Sequence, residues 1–388
     1  MTMHYLDHAA TTPMHSAAID AMVAVLRGRF GNPSGIHDVS GDAREALESA
    51  RDAVAAIFGR QAREIVFTGG GTEAINLALR GVTSAHGQTV LLTSAIEHDA
   101  VRETANWMAL TGQAVHETLP VSAKGVLDLD AARDAIVRGG AHGAPLIVAV
   151  MAVNNEVGTI QPITELAAMM RELVPGAFLL VDAVQALTWM DLRPVAAAAD
   201  FVAMSGHKFG GPKGVGALYV REGITLTPLV HGGGQERERR SGTQNVAGIV
   251  GMAEAAMVTE NMRADVCRRI GALKDRLVDG LVASIDGCVE TIPDRTSKVA
   301  GNAHMTIDGV ESEAVLVLLN EAGIAASAGS ACASGALHVS PVLLAMGVAK
   351  ERAGGALRLT LGAASMDDDV DAVLGALPSV ISQLRGAR

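Results

Sequence analysis

The sequence predicts an α/β protein with a largely parallel sheet covered by helices on both faces. Three observations carry this prediction. Short apolar runs recur along the chain: EIVFT (64–68), TVLLTS (89–94), LIVAVMAV (146–153), FLLVD (178–182), FVAMS (201–205) and GALYV (216–220). Segments of helical character separate them, as in a sheet whose strands are joined by crossover helices. Several residues capable of chemistry stand just beyond these runs, at the carboxyl ends of strands, where α/β sheets bind their ligands.

Residues 42–58 (DAREALESARDAVAAIF) have helical periodicity with mixed charges. EIVFT then reads as a short buried strand, and Gly69-Gly70-Gly71-Thr72 turns the chain into a helix, EAINLALRGV. The alternation continues with helices around 99–110 and 164–173. Near residue 259 the character changes. An amphipathic helix over 259–283 leads into strands near 303–307 (AHMTI) and 356–361 (ALRLTL), with helices at 311–322 and 367–385. A domain boundary is therefore expected near residue 258, and no internal repeat or low-complexity linker interrupts the chain.

At 388 residues the chain suits one large domain or two modest ones. Apolar residues make up 49% and charged residues 19%, which supplies a sizeable core and excludes global disorder. The balance of 31 basic against 42 acidic residues, a net −11, argues against general affinity for nucleic acid or an anionic membrane. Cys267, Cys288 and Cys332 lie far apart with no C-x-x-C pair, a reducing-compartment pattern rather than a disulfide framework or a structural zinc site. The opening MTMHYLDHAATTP lacks the basic and apolar regions of a signal peptide. The apolar run from Ala144 to Val153 is about half of the ~20 residues that span a bilayer. The sequence reads as a soluble cytoplasmic protein.

Four groups carry candidate chemistry. In Gly69-Gly70-Gly71-Thr72, glycines allow an anion close to the backbone, and the N–H groups of the next helix can cradle a phosphate; taken alone, the segment reads as an ordinary strand-to-helix turn. It matches neither G-x-G-x-x-G nor a Walker loop. Asp182 closes FLLVD, with Gln185 shortly after. Such an acid can simply cap a turn, or it can pair with a buried cation such as a protonated pyridine nitrogen. Ser205-Gly206-His207-Lys208 follows FVAMS and precedes a glycine-rich loop. A lysine there can be solvated, or it can be desolvated with a lowered pKa that suits Schiff-base chemistry. Cys332 lies in SAGSACASG, among small residues, where it can be a packing residue or an accessible nucleophile. Cys267, in the amphipathic helix, and Cys288, beside a strand, read as core residues. The histidines lack ligand spacing such as H-E-x-x-H, and no G-x-S-x-G is present, so neither a metal site nor a serine hydrolase is expected.

An amine, an acid and a phosphate cradle together describe a pyridoxal phosphate site. The sequence resembles the cysteine desulfurases, in the class V branch of fold-type I pyridoxal phosphate enzymes. The motifs that carry the resemblance run in order through nearly the whole chain: YLDHAATTP (5–13), FGNPSGIH (30–37), FTGGGTEAINLAL (67–79), EHDAV (97–101), NNEVGTIQPI (154–163), VDAVQ (181–185), SGHKFGGPKGVGALYVR (205–221), HGGGQERERRSGT (231–243), GSACASG (329–335) and LRLTLG (357–362). The GSACASG form resembles the group with the long, flexible cysteine loop.

The resemblance implies a fold-type I transferase. Its large domain, 15–258, would hold a mainly parallel seven-stranded sheet. A smaller C-terminal α/β domain, 259–388, would pack with residues 1–14. It assigns the cofactor to Lys208, ring stacking and proton transfer to His98, the pyridinium partner to Asp182 and the phenolic-oxygen partner to Gln185. Gly71, Thr72, Ser205 and His207 would hold the phosphate, and Thr243 would reach the phosphate in the other protomer of a homodimer. Asn155 and Arg358 would bind the substrate carboxylate, for which an arginine fork is suited. L-Cysteine would become alanine, with its sulfur carried as a persulfide on Cys332 to an acceptor protein, such as an iron–sulfur scaffold or a tRNA-thiolating enzyme. Alternatives are a selenocysteine lyase, another class V enzyme, or a non-catalytic sulfur-relay subunit. Two positions depart from the family's pattern. Gly71 stands where alanine is frequent, which is expected to loosen the cradle slightly, and Gly41-Asp42 stands where Gly-Arg is common.

Overall fold

The structure is a computed structural model that describes residues 3–329 and 339–386. Its strands are β1 (His4–Tyr5), β2 (Ile65–Thr68), β3 (Thr89–Ser94), β4 (Ala114–Leu119), β5 (Leu146–Met151), β6 (Phe178–Asp182), β7 (Phe201–Ser205), β8 (Gly216–Val220), β9 (Cys288–Glu290), β10 (Asn302–Ile307), β11 (Ile324–Ala325) and β12 (Ala356–Thr360). Seven of them form the main sheet in the order β2-β8-β7-β6-β5-β3-β4. Only β8 runs against its neighbours in this sheet. The expected mainly parallel sheet is present.

Helices cover both faces of that sheet. They are α1 (Ser16–Gly28), α2 (Asp38–Phe58), α3 (Gly71–His86), α4 (Asp99–Leu110), α5 (Leu129–Ala141), α6 (Ile163–Leu173), α7 (Arg193–Ala198) and the long α8 (Val246–Ser284). Alternate strand residues supply the two layers. Val90 and Leu92 of β3, with Leu146, Val148 and Val150 of β5, face the layer of α2, α5, α6 and α7. Leu91, Ile147 and Ala149 face α3 and α4. Strands buried on both faces have no polar side to show, which is why they stand out as continuous apolar runs.

A second core gathers Leu6, the C-terminal half of α8, the antiparallel sheet β12-β10-β9 and the helix Asp367–Gly386. β1 pairs in parallel with β11, which carries the chain's start into this region. The expected boundary near 258 falls inside α8. That helix contributes Val246 to Ala256 to the first core and, from Val266 onward, to the second. It begins at Val246 rather than 259, with Asn245 Oδ1 accepting from Gly248 N at 3.0 Å as its cap, and Gly251 inside it serves close packing. A Cβ there would stand 2.4 Å from Met22 Cγ of α1, so a residue that weakens the helical pattern is what lets the two helices meet. Among the described residues, no helix is long and apolar enough to cross a membrane.

β3 pairs with β4 on one side and β5 on the other, so the strand order reverses between β3 and β5. In open α/β sheets a crevice forms at the carboxyl ends of strands flanking such a reversal.

Candidate active site

The crevice is a cavity of about 760 Å³. Every site residue expected from the sequence lines it except Cys332 and Thr243. Cys332 lies outside the described residues, although Gly329 and Val339 on either side of that segment also line the cavity. Thr243 is exposed and is not part of this cavity's wall.

The phosphate-cradle candidate follows β2. Gly70 has φ +153°, and Thr68 Oγ1 donates to its carbonyl at 3.0 Å. Gly216 of β8 packs against it; a Cβ on Gly216 would stand 2.7 Å from the Gly70 carbonyl carbon. α3 then starts at Gly71, so its first-turn N–H groups, with Thr72 and Ser205, border the cavity. Those unpaired amides and the helix dipole favour an anion. The cradle is not loosened by Gly71. A Cβ there would stand 2.6 Å from Val184 Cγ2, so Val184 already fills the space an alanine methyl would take. Glu73 braces the turn: Gly69 N donates to its Oε2 at 2.7 Å, and Arg240 Nε donates to its Oε1 at 2.8 Å.

Asp182, the last residue of β6, is buried and accepts from Val184 N at 2.9 Å. Burial raises its pKa, while Val184 N and the charges of His98 and Lys208 pull it back. The net result is an acid that a bound cation would readily ionise.

Lys208 ends the short turn Gly206–Lys208 that follows β7. Its Nζ donates to Ala9 O at 2.7 Å and to Ala10 O at 3.0 Å. Gln185 Nε2 donates to the same Ala9 carbonyl at 2.7 Å. Residues 9–12 thus close one side of the site, and Thr11 Oγ1 lies 3.2 Å from His207 Nδ1. Burial, then Lys208 and Lys213, push the His207 imidazole down to about 4, so it is neutral at pH 7.

Beyond β3, His98 caps α4: its Nδ1 accepts from Ala100 N at 3.0 Å. In the neutral ring this leaves the proton on Nε2. Arg358, in the middle of β12, is buried. Its Nη1 donates to Asn155 O and to Gly329 O, each at 2.9 Å, and its Nη2 to Asp7 Oδ1 at 2.8 Å. Its Nε has no hydrogen-bond partner among the described residues. Arg358 lines the cavity, where its guanidinium charge favours a carboxylate.

Sequence reasoning did not single out three acids that the fold places here. Asp7 pairs with Arg358. Glu156 is buried and lines the cavity. Glu97 is buried between β3 and β5: Ser94 Oγ donates to its Oε1 in a short contact, and Met151 N donates to the same oxygen at 2.9 Å. Its Oε2 has no partner among the described residues, and burial pushes its pKa up to about 8. The signal available was adjacency to motif residues: Asp7 stands in YLDHAA, Glu97 in EHDAV and Glu156 in NNEVG.

Comparison with known proteins agrees with this architecture. The family described as Aminotransferase class-V matches residues 4–373. The chain is 44% identical to an IscS-like cysteine desulfurase of Mycobacterium tuberculosis, covering 99% of this chain and 98% of that protein. It is 40% identical to the cysteine desulfurase IscS of Methanosarcina thermophila, covering 98% and 92%. Among solved structures it is similar to a NifS-like protein with a TM-score of 0.91 and 32% identity, covering 98% of this chain and 100% of that one. It is also similar to SspA in complex with cysteine, with a TM-score of 0.80 and 29% identity, covering 92% and 99%. With the fold, the family match and relatives along the whole chain in agreement, the chain belongs to the class V aminotransferases, within their cysteine desulfurase branch.

Proposed function

We propose that the protein is a pyridoxal phosphate-dependent cysteine desulfurase, converting L-cysteine to alanine and passing the sulfur from Cys332 to an acceptor protein. The observation that carries the reading is the meeting, in one cavity, of the Lys208 amine, the buried Asp182 carboxyl and a helix N-terminus, with Arg358 on the same wall. These residues fit the cofactor. Gly71, Thr72, Ser205 and His207 would hold its phosphate, Asp182 its protonated ring nitrogen, Gln185 its phenolic oxygen and Lys208 its aldehyde carbon. When bound, pyridoxal phosphate supplies an electron sink for the substrate's α-carbon.

The chain's own residues do the rest. Arg358, with Asn155, takes the substrate carboxylate and so orients the molecule. Lys208 Nζ carries the α-proton. His98, with its proton on Nε2, would lie against the cofactor ring and share in proton transfer. Neutral His207 can donate to a phosphate without adding charge. Cys332 takes the substrate's sulfur as a persulfide. The protein acts as a cytoplasmic homodimer in which Thr243 of one protomer reaches the cofactor phosphate of the other. The exposure of Thr243 supports this, as does its loop's anchoring to the cradle through Arg240 and Glu73. An iron–sulfur scaffold or a tRNA-thiolating enzyme would serve as acceptor.

The deciding experiment is alanine release from L-cysteine by cofactor-loaded protein with a reductant, beside Cys332→Ser. Alanine from the wild type and little from the variant is expected. No alanine from either would sink the desulfurase reading.

A further inference from the structure

Both flanks of the segment that carries Cys332 meet one carboxylate: one packs against it and the other is hydrogen-bonded to it. On one side, Gly329 O accepts from Arg358 Nη1 at 2.9 Å, and Gly329 N donates to Ser327 Oγ at 3.2 Å. Gly329 has φ +114°, and a Cβ there would stand 2.9 Å from Glu156 Oε2, so the Glu156 carboxylate lies directly against this glycine. On the other side, Ser340 Oγ donates to the same Oε2 at 2.5 Å. Ser340 Oγ also accepts from Leu343 N at 3.2 Å, capping the helix Pro341–Ala345. Glu156 is itself fixed. Its N–H donates to Asn154 Oδ1 at 2.9 Å, and its carbonyl accepts from Asn302 Nδ2 at 2.9 Å.

We propose that Glu156 is a positioning residue for sulfur transfer. By bonding Ser340 and packing against Gly329 beside Arg358, it fixes the two ends between which Cys332 must meet the substrate's sulfur. This rests on the desulfurase reading above. Glu156 suits the task because a carboxylate accepts from Ser340 while placing no hydrogen against Gly329. Misplacement of a reacting group by an ångström is enough to slow a reaction severely. Because Glu156 acts through the two flanks, its loss should strike the sulfur step and spare cofactor binding.

The test uses the cofactor-loaded full chain with Glu156→Ala, Ser340→Ala, the double variant and Glu156→Gln. The readouts are kcat and KM for alanine release, persulfide on Cys332 by mass spectrometry, and the cofactor's visible absorbance before and after L-cysteine. Glu156→Ala and Ser340→Ala should each lower kcat and persulfide formation roughly ten- to hundred-fold. KM and the absorbance should stay within about two-fold of wild type. The double variant should lose far less than the product of the single losses, because both changes break the Ser340–Glu156 bond and only the cap on Leu343 N is lost in addition. Glu156→Gln, whose amide oxygen still accepts from Ser340, should recover most of the rate. If Glu156→Ala folds poorly, Ser340→Ala carries the test alone. Wild-type kcat in Ser340→Ala, a rise in KM at unchanged kcat, or multiplicative losses in the double variant would overturn the proposal. A wild type that releases no alanine overturns the desulfurase reading itself, and with it this one.

Discussion

Lys208 Nζ donates to the carbonyl of Ala9 at 2.7 Å, across 199 positions of sequence. The start of the chain, which belongs by β1 and Leu6 to the second core, therefore closes the site over the amine of the first. Lys208→Ala removes the tether and the proton carrier together. The purified variant should lack the visible absorbance of a lysine-linked cofactor, and its alanine release should fall by at least roughly a hundred-fold. Normal absorbance in the variant would refute the assignment of Lys208.

After exposure to L-cysteine, persulfide should map to the peptide carrying Cys332 and to neither other cysteine. Burial pushes the Cys288 thiol up to about 11 and raises Cys267 as well, so both are almost wholly protonated at neutral pH and poor nucleophiles. Mass spectrometry placing the persulfide on Cys267 or Cys288 would overturn the assignment.

Gly71 and Val184 form a size-matched pair. Gly71→Ala should weaken cofactor binding by roughly ten-fold, because overpacking a close contact costs about 1–3 kcal/mol. Adding Val184→Ala should restore most of the loss, since the methyl removed is the one the new Cβ meets. Cofactor titration of the two variants reads this directly; equal affinity in Gly71→Ala and wild type would show that the cradle has slack after all.

Glu97 gives stability a pH dependence of defined sign. Its folded-state pKa of about 8 lies above its ordinary 4.5. The stability linked to its proton is thus fully present below about 4.5 and is lost as pH rises through about 8. Glu97→Gln cannot ionise, so the variant should gain on the wild type progressively over that window in unfolding free energy. The histidines His8 and His207, both pushed down to about 4, work in the opposite sense. Their contribution is present above about 6.5 and is lost as pH falls through about 4. A constant difference between Glu97→Gln and wild type from about 4.5 to about 8 would contradict the account.

Arg51 and Glu236 form a buried bidentate pair at 2.7 and 2.9 Å, and Glu236 also accepts from Phe67 N at 2.9 Å. This pair holds Glu236, Arg237 and Glu238, three consecutive non-glycine residues with positive φ. Arg51→Ala should destabilise the protein by roughly 3–5 kcal/mol in denaturant unfolding, because it strands a buried carboxylate. Arg51→Lys should recover little of this, since a point charge cannot span both carboxylate oxygens. A loss below about 1 kcal/mol for Arg51→Ala would mean that water or a neighbour replaces the guanidinium.

Much of the fold was legible because its strands are local and apolar. β3, β6, β7 and β8 occupy the residues expected of them, 89–94, 178–182, 201–205 and 216–220. The sequence patterns did not mark β4, α1 or α5. β4 (AVHETL) is an edge strand with exposed and half-buried positions, so it shows no apolar run. α8 was expected to start at 259, where the character of the sequence changes; it starts at Val246, and the packing of α1 against Gly251 accounts for a glycine inside it.

The site divides in the same way. Lys208, Asp182 and Gly71 could be named from sequence because each stands at the end of a strand or the start of a helix, and local pattern locates those ends; His98 came only with the family resemblance. That they line one cavity follows from the strand order, which the pattern does not contain. Asp7, Glu97 and Glu156 look like ordinary charged residues in the chain. Their surroundings are decided by segments far away: Arg358 for Asp7, β5 for Glu97, Gly329 and Ser340 for Glu156. A carboxylate's chemistry depends on what removes its water and which charges face it. The sequence by itself determined which reactive groups are present and on which local elements they sit; the tertiary structure alone decided which carboxylates lost their water, because that depends on neighbours brought in from elsewhere in the chain.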